Sequence, residues 1–120
     1  PALLALVEPA TGTFHPAGAL VYEAPMASES LHAPRERLSP ETIRLHQAIS
    51  SLMEELEAVD WYRQRADDCD DDELKGILLH NMREEMEHAA MVLEWIRRNS
   101  SDFEAQLEKF LFTDKPLTHD

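Results

Sequence analysis

Apolar residues fall at Ile49, Leu52, Met53, Leu56, Val59 and Tyr62, in steps of three and four. That is the helical period, and it predicts a helix over about 40–67. Ser39 suits the N-cap and Pro40 the first helical position. The acidic run DDCDDDE, residues 67–73, breaks the pattern. Within it Asp70 and Glu73 have the spacing of a capping box for a second helix over about 71–98. The seam of that helix reads Leu74, Leu78, Asn81, Glu85, His88, Val92 and Trp95, apolar at both ends and polar in the middle. Arg97 and Arg98 fall in its last turn, where cations suit the helix dipole. Ser101 with Glu104 repeats the capping-box spacing. Phe103, Leu107, Phe110 and Leu111 then give a short third helix one apolar face, ending before Pro116.

Residues 1–34 have no such period. They hold five of the seven prolines, two of the three glycines and no Lys or Arg. The stretch PATGTFHPAG has turn chemistry. The expectation is an extended or disordered leader over 1–34 and a helical domain over 35–120. A docking peptide is one reading of the leader. Another is that Met26 is the true start.

Two helices of ~28 residues reach ~42 Å each at 1.5 Å per residue. A short turn between them makes an antiparallel hairpin, which leaves one side of each apolar stripe open. Pairing with a second copy covers it. The expected fold is therefore all-α: an antiparallel two-helix hairpin plus a short C-terminal helix, dimerising into a four-helix bundle.

Charge narrows the function. The 24 acidic residues against 11 basic ones give a net charge of −13. Nucleic-acid binding, which needs a basic face, is disfavoured. Attraction of cations is compatible. The single cysteine, Cys69, excludes an intramolecular disulfide and any Cys-based zinc pattern. The early apolar run ALLALV is far too short to span a bilayer and lacks a preceding positive charge. The expectation is a soluble chain that is neither secreted nor membrane-bound.

The polar middle of the second helix carries the chemistry. Glu85 and His88, three apart, converge on one face and form the Glu-x-x-His element of bundle di-metal proteins. On the first helix Glu55 falls between Leu52 and Val59. Such a centre takes a Glu from each of two helices and a Glu-x-x-His from each of the other two. This chain has one of each, so two copies supply the set. Carboxylate and imidazole accept iron(II), manganese(II) or zinc alike. Bland readings stand beside this one. Glu85 and His88 also suit a polar register pair in a coiled coil, and Glu84 reaches His88 at i+4. Tyr62, two turns beyond Glu55, suits core packing or contact to a metal pair. Glu54 and Glu57 suit a solvated acidic face or an incoming cation. Trp61 reads as partly buried, and His46 and His80 have no partner at diagnostic spacing.

The segments SLMEELEAVDWYRQR (51–65), HNMREEMEHAAMVLEWIRRN (80–99) and FLFTDKP (110–116) closely resemble the encapsulated ferritins. These are half-length ferritin-like proteins packaged inside encapsulin nanocompartments. The resemblance covers roughly residues 31–120. It implies a ferritin-like bundle with a ferroxidase centre formed between two chains, and dimers assembled into a ring, typically of five. It places Glu55, Glu85 and His88 on the di-iron ligands and Tyr62 on the metal-proximal tyrosine. Glu54 and Glu57 fall on a secondary metal site on the approach path, with Trp61 beside it. It further implies an encapsulin shell partner and a cytoplasmic location inside that compartment. A C-terminal encapsulation peptide is not visible, so packaging is implied by kinship alone. The functional expectation is oxidation of iron(II) to iron(III) by O2, feeding iron storage. The alternatives are a non-catalytic dimeric helical adaptor and a di-manganese or zinc bundle protein.

Overall fold

The computed structural model describes residues 13–14, 20–21 and 31–118. The chain divides into two compact units, Pro1–Ile43 and Arg44–Asp120. In the first, the two-residue strands β1 (Thr13–Phe14) and β2 (Leu20–Val21) pair antiparallel, Thr13 opposite Val21 and Phe14 opposite Leu20. The all-α expectation did not include this pair. The rest of the expected leader up to residue 30 lies outside the described residues. A short 3-10 turn, Arg35–Arg37, precedes the first long helix.

Three helices follow: α1 (Pro40–Asp68), α2 (Asp72–Asn99) and α3 (Ser101–Phe110). The α1 start is as expected. The Ser39 Oγ accepts from the Thr42 amide at 3.1 Å, and the Ser39 carbonyl accepts from Ile43. The other two caps differ from the expectation by one residue. Asp71, not Asp70, caps α2, its carboxylate accepting from the Leu74 amide at 2.8 Å. Ser100, not Ser101, caps α3, its hydroxyl accepting from the Phe103 amide at 3.3 Å. In both cases the cap residue is the one whose own carbonyl takes the first helical bond, from Lys75 and Glu104 respectively. In a run of adjacent Asp or Ser residues every candidate side chain is a competent cap, so spacing alone does not choose between them.

The apolar stripe of α1 is partly covered, as expected of a hairpin that leaves one side of each stripe open. Tyr62 at its end is buried, and Ile49, Leu52 and Val59 are half-buried. Met53 and Leu56 are exposed, and the buried residues of α1 are Ala58, Tyr62 and Ala66. On α2 they are Met82, Glu85, Ala89 and Ile96. Half of the buried apolar set is alanine, whose small side chain allows close backbone approach. Leu74, Ile77 and Met91 of α2 are also left exposed. Among the described residues few large side chains are fully buried.

An ion-pair network joins α2 to α3. Arg97 donates to both Glu94 oxygens, Nε to Oε1 at 2.6 Å and Nη2 to Oε2 at 2.8 Å. Its Nη1 donates to Glu104 Oε1 at 3.0 Å across the Ser100 joint. Arg98 Nε adds a bond to Glu94 Oε2 at 2.8 Å. The two guanidiniums hold the Glu94 carboxyl down to about 2.

Candidate metal centre

Glu55 stands thirteen residues before the end of α1, and Glu85 thirteen after the start of α2. The tight link at residues 69–71 folds the helices back so that these levels meet. Glu55, Glu85 and His88 each present one ligand atom within 4.8 Å of the others. His88 Nδ1 lies 3.3 Å from Glu85 Oε2 and 3.7 Å from Glu55 Oε2. Glu85 and not Glu84 belongs to this group, and Glu84 lies 3.9 Å from His80. That His80–Glu84 contact was missed in the sequence, although its i, i+4 spacing permits it.

Burial is graded across the group. The side chain of Glu85 is 4% exposed, that of Glu55 16% and that of His88 39%. The cluster thus opens on one flank, at His88. Burial comes first in pushing the Glu55 carboxyl up to about 7, followed by the closeness and charge of the Glu85 carboxyl, with Glu54 adding to it. The His88 imidazole opposes them.

Glu55 Oε2 is shut off from solvent and has no hydrogen-bond partner. A buried, unpartnered carboxylate oxygen costs free energy unless something fills its coordination. Two carboxylates and an imidazole converging on it form a donor set for a divalent transition metal. Chemistry and geometry therefore fit a metal ion at this point.

The remaining expected site residues lie outside this cluster. Tyr62 is buried on the same side of α1, two turns beyond Glu55. Glu54 and Glu57 are half-buried on the flank of α1, Trp61 is half-buried, and Glu54 reaches the cluster through its charge. Arg65 went unnoticed in the sequence. Its guanidinium lies over both the Trp61 and the Tyr62 rings, and its i+4 and i+3 spacing from them was the available signal.

Among the described residues no helix is long and apolar enough to cross a membrane. The EncFtn-like family model matches residues 30–114, a span that contains every residue of the cluster. The chain is 55% identical to an encapsulated ferritin-like protein of Rhodospirillum rubrum over 92 residues, 77% of this chain and 66% of that protein, just under two thirds of its length. It is 46% identical to a ferritin-like protein of Thermotoga maritima over 91 residues, 76% of this chain and 80% of that one. A crystal structure of a Nitrosomonas europaea protein superposes with a TM-score of 0.70 at 56% identity, covering 74% of this chain and 98% of that chain. A helical hairpin with a Glu/Glu/His cluster between its arms, matched along most of its length by these relatives, belongs to the EncFtn-like family of encapsulated ferritins.

Proposed function

We propose that this protein is a ferroxidase, oxidising iron(II) with O2 at a di-iron centre that two copies of the chain complete. One observation carries the reading: the Glu55–Glu85–His88 cluster, in which a buried carboxylate oxygen lacks a partner. A single chain offers one Glu and one Glu-x-x-His, half of what a bundle di-iron centre takes. The cluster opens at His88, and large apolar side chains such as Leu56 and Ile77 are exposed. A second copy across a twofold axis would cover such surfaces, supply the other half-site and make a four-helix bundle.

Iron(II) is the substrate. The net charge of −13 favours its approach. Glu54 and Glu57 on the α1 flank are the proposed stations on the way in. At the centre two iron(II) ions give up one electron each, and O2 takes both electrons with two protons to leave hydrogen peroxide. Hard carboxylate oxygens favour the iron(III) product over iron(II). Glu55, poised near neutrality, can exchange its proton for a metal bond at little cost. Tyr62 walls the centre from the side of α1.

Storage then needs a container, because a half-length ferritin ring encloses no cavity of its own. The relative named an encapsulated ferritin-like protein supports an encapsulin shell as that partner. With it come a cytoplasmic location inside the compartment and a ring of five dimers. Iron(II) oxidation by O2, followed by near-UV absorbance for wild type and Glu85→Ala, tests the proposal. Rapid oxidation that falls to the buffer rate in the variant is expected. Buffer-like rates in both would refute it.

A further inference from the structure

Arg65 sits in the last turn of α1, followed two and three residues on by Asp67 and Asp68. In so acidic a chain an exposed arginine has many carboxylates to choose from. Among the described residues it forms no ion pair. Its guanidinium carbon lies 5.7 Å from the centre of the Tyr62 ring and 5.9 Å from that of Trp61. Both distances are within cation–π range. The spacings of three and four residues bring one cation over two electron-rich rings. Tyr62 is buried beneath it, and Trp61 is half-buried beside it.

Tyrosine and tryptophan are the aromatic side chains most easily oxidised by one electron. Tyr62 lies ~10 Å along α1 from Glu55, at 1.5 Å per residue over seven residues. If iron(II) meets O2 at the neighbouring cluster, these two rings are the nearest competing electron donors on α1. A ring that gives an electron to the oxidant becomes a radical cation, and the tyrosine then loses its phenolic proton as well. A fixed positive charge over the ring opposes that step, because the product is the more positive species.

We infer that Arg65 is a positioning residue that holds Trp61 and Tyr62 in place and keeps both rings reduced while O2 takes its electrons from iron(II). This role rests on the ferroxidase reading, since that reaction supplies the oxidant. The charge effect on the rings does not depend on it.

The test compares wild type, Arg65→Gln and Arg65→Lys, each first shown to retain its helical circular dichroism. In one arm the metal-free protein meets a one-electron oxidant, hexachloroiridate(IV). In the other, iron(II)-loaded protein turns over with O2. Peptide mass spectrometry reads oxidation at Trp61 and Tyr62 relative to Trp95, an internal reference on α2. Arg65→Gln should raise that ratio about two- to five-fold in both arms, the factor an exposed cation–π contact supports. Arg65→Lys, which keeps a cation, should stay near wild type. Equal ratios in wild type and Arg65→Gln under hexachloroiridate would overturn the role of Arg65 whatever iron does. A rise there but not during iron turnover would overturn its protective part in the reaction. A wild type that oxidises no iron(II) would instead remove the ferroxidase reading, leaving the first arm to judge the rings alone.

Discussion

His88 Nδ1 lies 3.7 Å from Glu55 Oε2, a contact between two helices that brings together residues 33 apart in the chain. The oxygen it approaches is buried and hydrogen-bonded to nothing. The polar middle of the α2 seam is therefore matched by a carboxylate at the same level of α1, and together they form a donor set that could hold a metal ion.

Replacing Glu55 with Leu should separate stability from function. Removing a buried charged group for an apolar one of similar size is often neutral or stabilising by about 1–4 kcal/mol. Urea denaturation in chelator should show the variant at least as stable as wild type. The stabilisation that wild type gains from added metal should disappear in the variant, because linkage requires the ligands.

The pH dependence follows from the same carboxyl. Its value in the folded chain, about 7, is above its ordinary 4.5. The metal-free fold therefore favours the protonated form. The stabilisation from this group is complete below about pH 4.5 and is lost as pH rises through 7, by about 1–3 kcal/mol. Metal binding runs the other way, since it needs the ionised form. Affinity should climb as pH rises toward 7, and calorimetry in buffers of different ionisation enthalpy should detect proton release on loading below that pH.

The joint between α2 and α3 depends on Arg97 reaching Glu104 while gripping Glu94. Glu104→Gln should leave the Glu94 grip intact and loosen α3 alone. Amide hydrogen exchange over 101–110 should quicken, with α1 unchanged. Glu94 titrates at about 2, below its ordinary 4.5, so its contribution is present above 4.5 and fades as pH falls toward 2.

Gly76 lies within α2, and a Cβ built there meets nothing within 4 Å. Gly76→Ala should stabilise the chain by about 0.5–1 kcal/mol through helix propensity. Thermal unfolding in chelator measures this directly.

Much of this was legible in the sequence, for identifiable reasons. The limits of α1 and α2 were expected within about a residue because Ser39 and the DDCDDDE break are strong local signals. The Glu55–Glu85–His88 group could be anticipated because a short link forces matching levels of two long helices together. For α1 an open side of the stripe was expected, but not which residues would lie on it. Periodicity locates an apolar stripe but does not say whether it faces the other arm of the hairpin or another surface. Here Ala58 and Ala66 face inward, and Met53 and Leu56 are left exposed. Arg65 was overlooked, and its position over the Trp61 and Tyr62 rings is seen only in the folded helix.

The most direct test of the central claim, that each chain holds half of a shared iron centre, is native mass spectrometry of the full chain under anaerobic iron(II), with and without chelator. Dimers or multiples of them carrying two irons per pair of chains are expected, with chelator weakening the pairing and Glu85→Ala abolishing the iron. Iron bound one-to-one by single chains, or masses identical with iron and with chelator and free of metal in both, would contradict it.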